Sequence, residues 1–353
     1  MAESDGPSWD LYRSPGGGQP LERVGDTLRA PETGRVFPIE GGVPNFLKFP
    51  SAETPAEAAS LADMNRRAEV DGWQAALAES TKNDPSLYTY ATDPKRLAQL
   101  NVLPLSAAAS VLEVGPGLGQ FTAELAGRVR TVHALEVVPG QAAFVVKRTR
   151  QLGLKNVTVA CGGDDCLLPY APNSFDLAVF NLVFEWCASR LSDDDAIVGQ
   201  RQLLSEFARV LKPGGVLYLA TKNRFGIQYL LGQPDEHVFN MRFASPLPRW
   251  LTDLRLSAAK LARPPGLLHS YNGLRDMLSA AGLHPLRSFW AAPEMRFPTR
   301  MVPTDANSVR EARRDGVEQG HTRRARMIMP FVPAALVKHI TPGLAFLVEK
   351  PNA

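Results

Sequence analysis

Within twelve residues, Val111-Leu-Glu-Val-Gly-Pro-Gly-Leu-Gly-Gln-Phe-Thr122, lie the parts of a ligand cradle. Val111, Leu112 and Val114 read as a buried parallel strand, and Gly115, Pro116, Gly117 and Gly119 break it sharply. Bare backbone at those glycines lets a bulky ligand lie against the turn. The helix that begins near Phe121 adds unpaired N–H groups at the same place. The spacing is G-x-G-x-G, not the G-x-G-x-x-G of a dinucleotide turn. Glu113, inside the strand, would repel a pyrophosphate and attract an ammonium. The ligand implied carries a positive charge and no phosphate.

Further acids recur at strand ends. Glu136 closes the apolar run Val132-His-Ala-Leu-Glu136, where a carboxylate can grip a ribose diol. Asp164 and Asp165 follow a third run, Val157-Thr-Val-Ala-Cys-Gly-Gly-Asp164. Next come Phe175-Asp-Leu-Ala-Val-Phe-Asn-Leu-Val-Phe-Glu-Trp186 and Arg209-Val-Leu-Lys-Pro-Gly-Gly215. In this order and spacing, the set resembles the class I S-adenosylmethionine-dependent methyltransferases. The resemblance runs from about residue 91 to residue 222 and more loosely to the C-terminus.

That resemblance implies an α/β fold, a Rossmann-like seven-stranded methyltransferase sheet with helices on both faces. Its last strand would run antiparallel. S-adenosyl-L-methionine would be the cofactor and S-adenosyl-L-homocysteine the product. Glu113 and the turn Gly115, Pro116, Gly117 and Gly119 would lie beside the methionine part. Glu136, with Val137, would take the ribose hydroxyls. Asp164 would accept from the adenine amino group, with Asp165 beside it, while Asn181 and Leu182 would sit under the methionine moiety. Glu185 and Trp186 would face the acceptor. Relatives often carry a histidine where Trp186 stands, so the base must be sought elsewhere. His237, in a Pro-Asp-Glu-His run, is either that base or a surface-loop histidine. Arg224, His269 and Tyr271 are further candidates for the acceptor pocket, whereas His133 lies inside a strand and reads as structural.

These residues need elements to position them. Strands are expected near 110–114, 131–136, 156–161, 175–182, 215–221, 284–290 and 342–349, with helices near 119–128, 140–152 and 194–212. Residues 1–30, rich in Gly, Pro and charge, read as a flexible lead-in. Residues 31–90 read as a ribbon-like segment and a helical cap. The Phe37-Pro-Ile-Glu-Gly-Gly-Val-Pro44 pattern resembles the Trm112-like ribbons that precede some bacterial methyltransferases. Those carry zinc-binding cysteines, but Ala30 stands in place of one and residues 1–160 contain none. Four ligands cannot be assembled there, so no metal is expected. Thr54-Pro-Ala-Glu57 is a capping box, and Leu61, Met64, Ala68 and Val70 would continue an apolar stripe. Residues 91–222 form the cofactor core, 223–270 a lid inserted after the fifth strand, and 271–353 the completion of the sheet.

Composition limits the function further. The net charge of +3 hides an asymmetry: residues 1–90 carry 8 basic and 14 acidic residues, a balance of −6, so the remainder carries +9. Solvated surface accounts for such an excess, as does an acceptor with phosphate or carboxylate groups. The arginines are scattered, so nucleic acid is not expected as a partner. No apolar run approaches a spanning helix. Three cysteines, clustered at 161, 166 and 187, indicate no disulfide framework, and a reducing cytoplasm is the expected compartment. A small molecule methylated at oxygen is the leading acceptor. A ribosomal or transfer RNA substrate, or a non-catalytic cofactor-binding partner, are the alternatives.

Overall fold

A computed structural model of the chain describes residues 9–16, 18–51, 53–187, 193–261, 266–320 and 322–352. Four short strands come first: β1 (Glu22–Val24), β2 (Thr27–Arg29), β3 (Val36–Glu40) and β4 (Val43–Pro44). They pair antiparallel in sequence order as a ribbon. Leu28, Ala30, Phe37 and Phe46 are buried beneath it. Packing of this kind is what a ribbon without metal requires. The expected flexible lead-in is folded from residue 9. Tyr12 is buried and stacks on Tyr170 at 5.4 Å, because its ring has an aromatic cluster to join. Past β4, Asn45 bridges Cys161 in parallel and the Phe46 N–H donates to the Cys161 carbonyl at 2.8 Å.

Helices α1 (Pro55–Asp71), α2 (Trp73–Ser80) and α3 (Pro85–Thr92) follow. The capping box forms, with Thr54 and Glu57 each accepting the other's backbone N–H. Gly72, at φ 87°, ends α1 and splits what the sequence reads as one helix. Met64 and Ala68 are buried against the core, but Val70 is 81% exposed and leaves the stripe.

The core alternates: β5 (Ser110–Val114), α4 (Gln120–Ala126), β6 (Thr131–Glu136), α5 (Pro139–Gln151), β7 (Val157–Cys161), β8 (Phe175–Asn181), α6 (Asp193–Val210) and β9 (Leu211–Lys222). The core-facing side of α6 carries Leu203, Leu204, Phe207 and Val210, all inaccessible. Its first three aspartate side chains lie outside the described residues. An insertion then holds α7 (Ile227–Leu230), a hairpin of β10 (Pro234–Asp235) and β11 (Met241–Arg242), and α8 (Arg249–Ala258). The chain closes with α9 (Tyr271–Ala280), β12 (His284–Ala292), β13 (Arg300–Pro303), α10 (Ala306–Arg314) and β14 (Gly343–Glu349). Among the described residues, no helix is long and apolar enough to cross a membrane.

The main sheet runs β13-β12-β14-β9-β8-β5-β6-β7. Strands β5 to β9 are parallel to their core neighbours, while β14 runs antiparallel to both β9 and β12. The sheet therefore has eight strands, not seven. The additional one, β13, pairs antiparallel with β12 through residues 300–303. Only four residues long, preceded by Pro298 and ending in Pro303, it shows no alternation from which a strand could be read. The chain moves outward through β5, β6 and β7, then returns to β8 on the other side of β5. The direction of winding thus reverses between β5 and β8, and a crevice opens at their carboxyl ends.

Candidate functional site

Gly115 and Gly117 leave β5 with φ values of 74° and 57°, a region that favours glycine. A Cβ on Gly115 would meet Val183 at 2.4 Å, so the turn is also sterically closed there. Around it lies a cavity of about 280 Å³, walled by the turn, Glu113, Glu136, Asn181, Leu182 and residues of α3. The reversal between β5 and β8 and the glycine turn thus open on one space.

Glu136 organises this wall. One carboxylate oxygen accepts the Val137 and Val138 N–H groups at 2.8 and 3.1 Å; the other accepts that of Gly117 at 2.9 Å. A carboxylate offers about four acceptor positions, so some capacity remains for a ligand diol. Burial pushes the Glu136 carboxyl up to about 7 despite those three bonds. Glu113 is likewise raised to about 7 by burial, against a 2.6 Å hydrogen bond from the Thr122 hydroxyl. Gly119 caps α4 in the left-handed region and lies behind the wall against Val145.

Two residues on this wall have no motif to announce them. Arg96 is buried, donates to the Tyr90 carbonyl at 2.7 Å and lies 3.3 Å from the Tyr90 ring centroid, yet its Nε has no partner. Tyr90 itself lines the cavity. Tyr90 lies in α3 just ahead of the core, a place from which the sequence already suggests it reaches the cofactor, and Arg96 follows in the 3₁₀ segment that leads into β5. Asn181 is an expected residue with an informative detail: its side-chain oxygen is buried and unpartnered. A buried acceptor and a buried donor, both unsatisfied on one cavity wall, suit a zwitterion with an ammonium and a carboxylate. The turn without side chains and the residual capacity of Glu136 suit a ribose. S-adenosylmethionine has all of these groups.

Asp164 and Asp165 do not join them. Both Asp164 oxygens accept the Lys48 N–H at 3.1 Å, and one also takes that of Phe49 at 2.7 Å. Asp165 accepts the Leu167 N–H at 3.2 Å, and neither acid lines the cavity. The ribbon's exit strap engages Asp164. Asp164→Ala is expected to lower stability by about 1–3 kcal/mol, the cost of stranding buried amides. The affinity for S-adenosylhomocysteine should stay within a few-fold. Thermal melting with calorimetry checks both, and a tenfold loss of affinity with an unchanged melt would return Asp164 to the adenine.

A second cavity, about 410 Å³, adjoins the first. Leu87, Tyr90 and Leu182 belong to both walls, and Glu185 and Trp186 face the second as expected. Glu185 is fully buried and accepts the Thr221 hydroxyl at 2.7 Å, and burial raises its carboxyl. Behind it sits His237, which is buried, not a surface-loop residue. Its Nδ1 lies 2.8 Å from an Asp235 oxygen that also accepts the His237 backbone N–H at 3.0 Å. Ser245 donates to the other oxygen. With the carboxylate accepting, Nδ1 carries the proton and Nε2 is the bare nitrogen. That Nε2 has no hydrogen-bond partner and lies 3.9 Å from a Glu185 oxygen. Trp186 covers the imidazole at a centroid distance of 4.5 Å.

The other expected acceptor residues lie elsewhere. Arg224 donates to the Ser245 and Leu247 carbonyls, holding the insertion's loop. Tyr271 bonds Ser288 at 3.0 Å and lines a separate cavity of about 570 Å³ beside β12. His269 is buried with its Nε2 2.7 Å from Gln200, and burial, reinforced by nearby arginines, lowers it to about 3. His133, as read from its strand position, is a structural residue lowered by burial to about 4. Both stay neutral in the fold, whereas in the unfolded chain a histidine takes up its proton near 6.5. Stability therefore falls as pH drops from 6.5 toward 4. His269→Asn is expected to shrink the difference in melting temperature between pH 8 and pH 5, and an undiminished difference would contradict its buried neutral state.

Residues 112–219 match a family described as "Methyltransferase domain". The chain carries a class I S-adenosylmethionine-dependent methyltransferase domain, and S-adenosylmethionine is the cofactor of that class. The match does not extend to the N-terminal ribbon, so the Trm112 likeness remains a resemblance. Among similar proteins, the biotin biosynthesis bifunctional protein BioHC of Cellvibrio japonicus is 39% identical over 31% of this chain and 19% of its own length. Phosphoethanolamine N-methyltransferase 1 of Triticum aestivum is 27% identical over 44% of this chain and 30% of its own. The malonyl-[acyl-carrier protein] O-methyltransferase of Salmonella typhimurium is 25% identical over 67% of this chain and 95% of its own. The first two alignments thus span less than a third of those proteins. A solved Haemonchus contortus phosphoethanolamine N-methyltransferase 1, with phosphoethanolamine and S-adenosylhomocysteine, covers 87% of this chain and 52% of that one, at 14% identity and a TM-score of 0.45.

Proposed function

We propose that this chain is an S-adenosylmethionine-dependent methyltransferase acting on a small molecule, with oxygen as the methylated atom. The observation that carries the reading is the common wall of the two cavities, formed by Leu87, Tyr90 and Leu182. A cofactor seated on the glycine turn and an acceptor beside Glu185 and Trp186 meet at that wall. The cofactor, when bound, supplies an activated methyl group on a sulfonium. The protein's part is alignment, exclusion of water and removal of a proton.

In this reading Glu136 holds the ribose hydroxyls, the Arg96 guanidinium takes the carboxylate, and the Asn181 oxygen takes the ammonium. Glu113 stays behind the turn, fixed by Thr122. Glu185 touches the acceptor and His237 stands behind it, its bare Nε2 kept so by Asp235. As the methyl leaves the sulfonium for the hydroxyl oxygen, the hydroxyl proton passes to a Glu185 oxygen, and the bare Nε2 of His237 behind it is the final proton acceptor. Malonyl-[acyl-carrier protein] O-methyltransferases recur among the relatives, which favours oxygen. The purified chain, incubated with methyl-tritiated S-adenosylmethionine and a set of small hydroxy and amino compounds, should label at least one hydroxy compound and form S-adenosylhomocysteine. Labelling confined to amines would overturn the choice of oxygen, and failure to bind S-adenosylhomocysteine would overturn the whole reading.

A further inference from the structure

We propose that Lys222 and Arg296 form an anion subsite in the acceptor cavity, so that the acceptor carries a carboxylate or a phosphate group. The inference rests on the methyltransferase reading of that cavity. Lys222 ends β9, and its side chain is 15% exposed. Its nearest ionic partner is a Glu236 oxygen at 3.8 Å, beyond hydrogen-bond reach. A largely buried ammonium has three donors to satisfy and loses hydration without them. Arg296 is half-exposed and donates from Nη2 to both Glu236 oxygens at 2.8 Å. Its backbone N–H donates to Glu294 at 2.9 Å, while its Nε and Nη1 make no hydrogen bond among the described residues.

Lys222, Glu236 and Arg296, with Phe297, wall both the acceptor cavity and a further cavity of about 340 Å³ beyond it. None of them belongs to the wall shared with the cofactor cavity. An acceptor in this cavity therefore meets both the wall shared with the cofactor and the two cations. The charged groups facing it are Lys222, Arg296, Glu236 and Glu185. Glu185 is already engaged by Thr221, and burial favours its neutral form. Glu236 resists the effect of its own burial because Lys222 and Arg296 hold its carboxyl below the usual range. It occupies, as an internal anion, the position between two cations that an acceptor's anion would take or share. Guanidinium and ammonium together suit planar carboxylate and tetrahedral phosphate alike.

The test uses the full chain loaded with S-adenosylhomocysteine, whose affinity is measured first in every variant. Benzoate and phenyl phosphate are then titrated against their neutral counterparts, benzamide and phenol, by saturation-transfer NMR. The anionic probes should bind about tenfold more tightly, the scale of a hydrogen-bonded charge. Lys222→Met should remove that preference and leave the neutral probes unchanged; Lys222→Arg should keep it. Glu236→Gln should tighten anion binding several-fold by freeing Arg296. Comparing benzoate with phenyl phosphate assigns the anion as carboxylate or phosphate. Equal binding of anionic and neutral probes, no binding of the anions, or equal loss of both in Lys222→Met would overturn the subsite. Should Lys222→Met not fold, unchanged or weaker anion binding in Glu236→Gln would do so alone. Loss of S-adenosylhomocysteine binding in the unmodified chain is instead a failure of the methyltransferase reading.

Discussion

Glu136→Ala is expected to abolish measurable S-adenosylhomocysteine binding while the chain remains folded. The side chain makes three hydrogen bonds to backbone amides on both sides of the cavity mouth, one of them to Gly117. Its loss removes the acceptor for the ribose hydroxyls, worth roughly 1.5–3 kcal/mol for bonds to a charged group. It also frees the glycine turn, so the remaining wall is no longer shaped before the ligand arrives. Together these exceed the roughly hundredfold loss that the direct bonds alone would give. Glu136→Gln keeps one acceptor oxygen and should fall between. Because burial raises this carboxyl to about 7, affinity should decline as pH falls from 8 to 6 and the charged form is lost. Glu113 titrates in the same range, so Glu113→Gln is the control that isolates Glu136. Calorimetry with far-ultraviolet circular dichroism decides the matter. Unchanged affinity in Glu136→Ala would remove the cofactor from this wall.

The second large effect concerns His237. His237→Ala is expected to lower kcat by roughly 10²–10⁴-fold, the range for a lost proton acceptor, with cofactor affinity unchanged. The imidazole is not on the cofactor wall, and its bare Nε2 faces Glu185 across 3.9 Å. It acts through Glu185 and is in that sense a positioning residue, so a fall in rate is not enough by itself. The discriminating readout is the pH profile: the deficit should narrow at high pH, where an acceptor hydroxyl ionises with less help. Asp235→Asn should reproduce part of the effect, since an amide can offer Nδ1 a donor and so favour the wrong tautomer. A deficit constant across pH would mean that His237 only packs beneath Trp186.

The parts of this molecule that repeat a simple physical rule were legible in the sequence. Strands β5, β6 and β7 are apolar runs ended by a glycine or an acid, and the buried face of α6 follows helical periodicity. Gly115, Gly117, Glu113, Glu136, Asn181 and Leu182 lie together because they end or follow β5, its neighbour β8 across the reversal in winding, and β6 on its other side. For Asp164 the sequence is silent on its backbone partners, because a carboxylate after a strand looks the same whether it meets a ligand or a backbone. Its partners, Lys48 and Phe49, are 116 and 115 residues away in the chain. Arg224 and His269 lie in the insertion and Tyr271 opens α9 just past it, where no periodicity shows which way a polar side chain faces. Arg96, Lys222, Glu236 and Arg296 went unnoticed as site residues because four separate segments bring them to the cavities. The histidine at 237 could be picked from its Pro-Asp-Glu-His run. Its pairing with Asp235, two residues before it, depends on the short 3₁₀ turn at 236–238.

The most direct measurement is a crystal structure of the chain grown with S-adenosylhomocysteine. The ribose should lie against the Glu136 carboxylate and the amino-acid end along Gly115–Gly117, within reach of Arg96 and Asn181. The sulfur should point to the wall formed by Leu87, Tyr90 and Leu182, with Glu185 and Trp186 beyond it. A ligand seated in the cavity beside Tyr271 and Ser288, or one that leaves Glu136 without a contact, would contradict this.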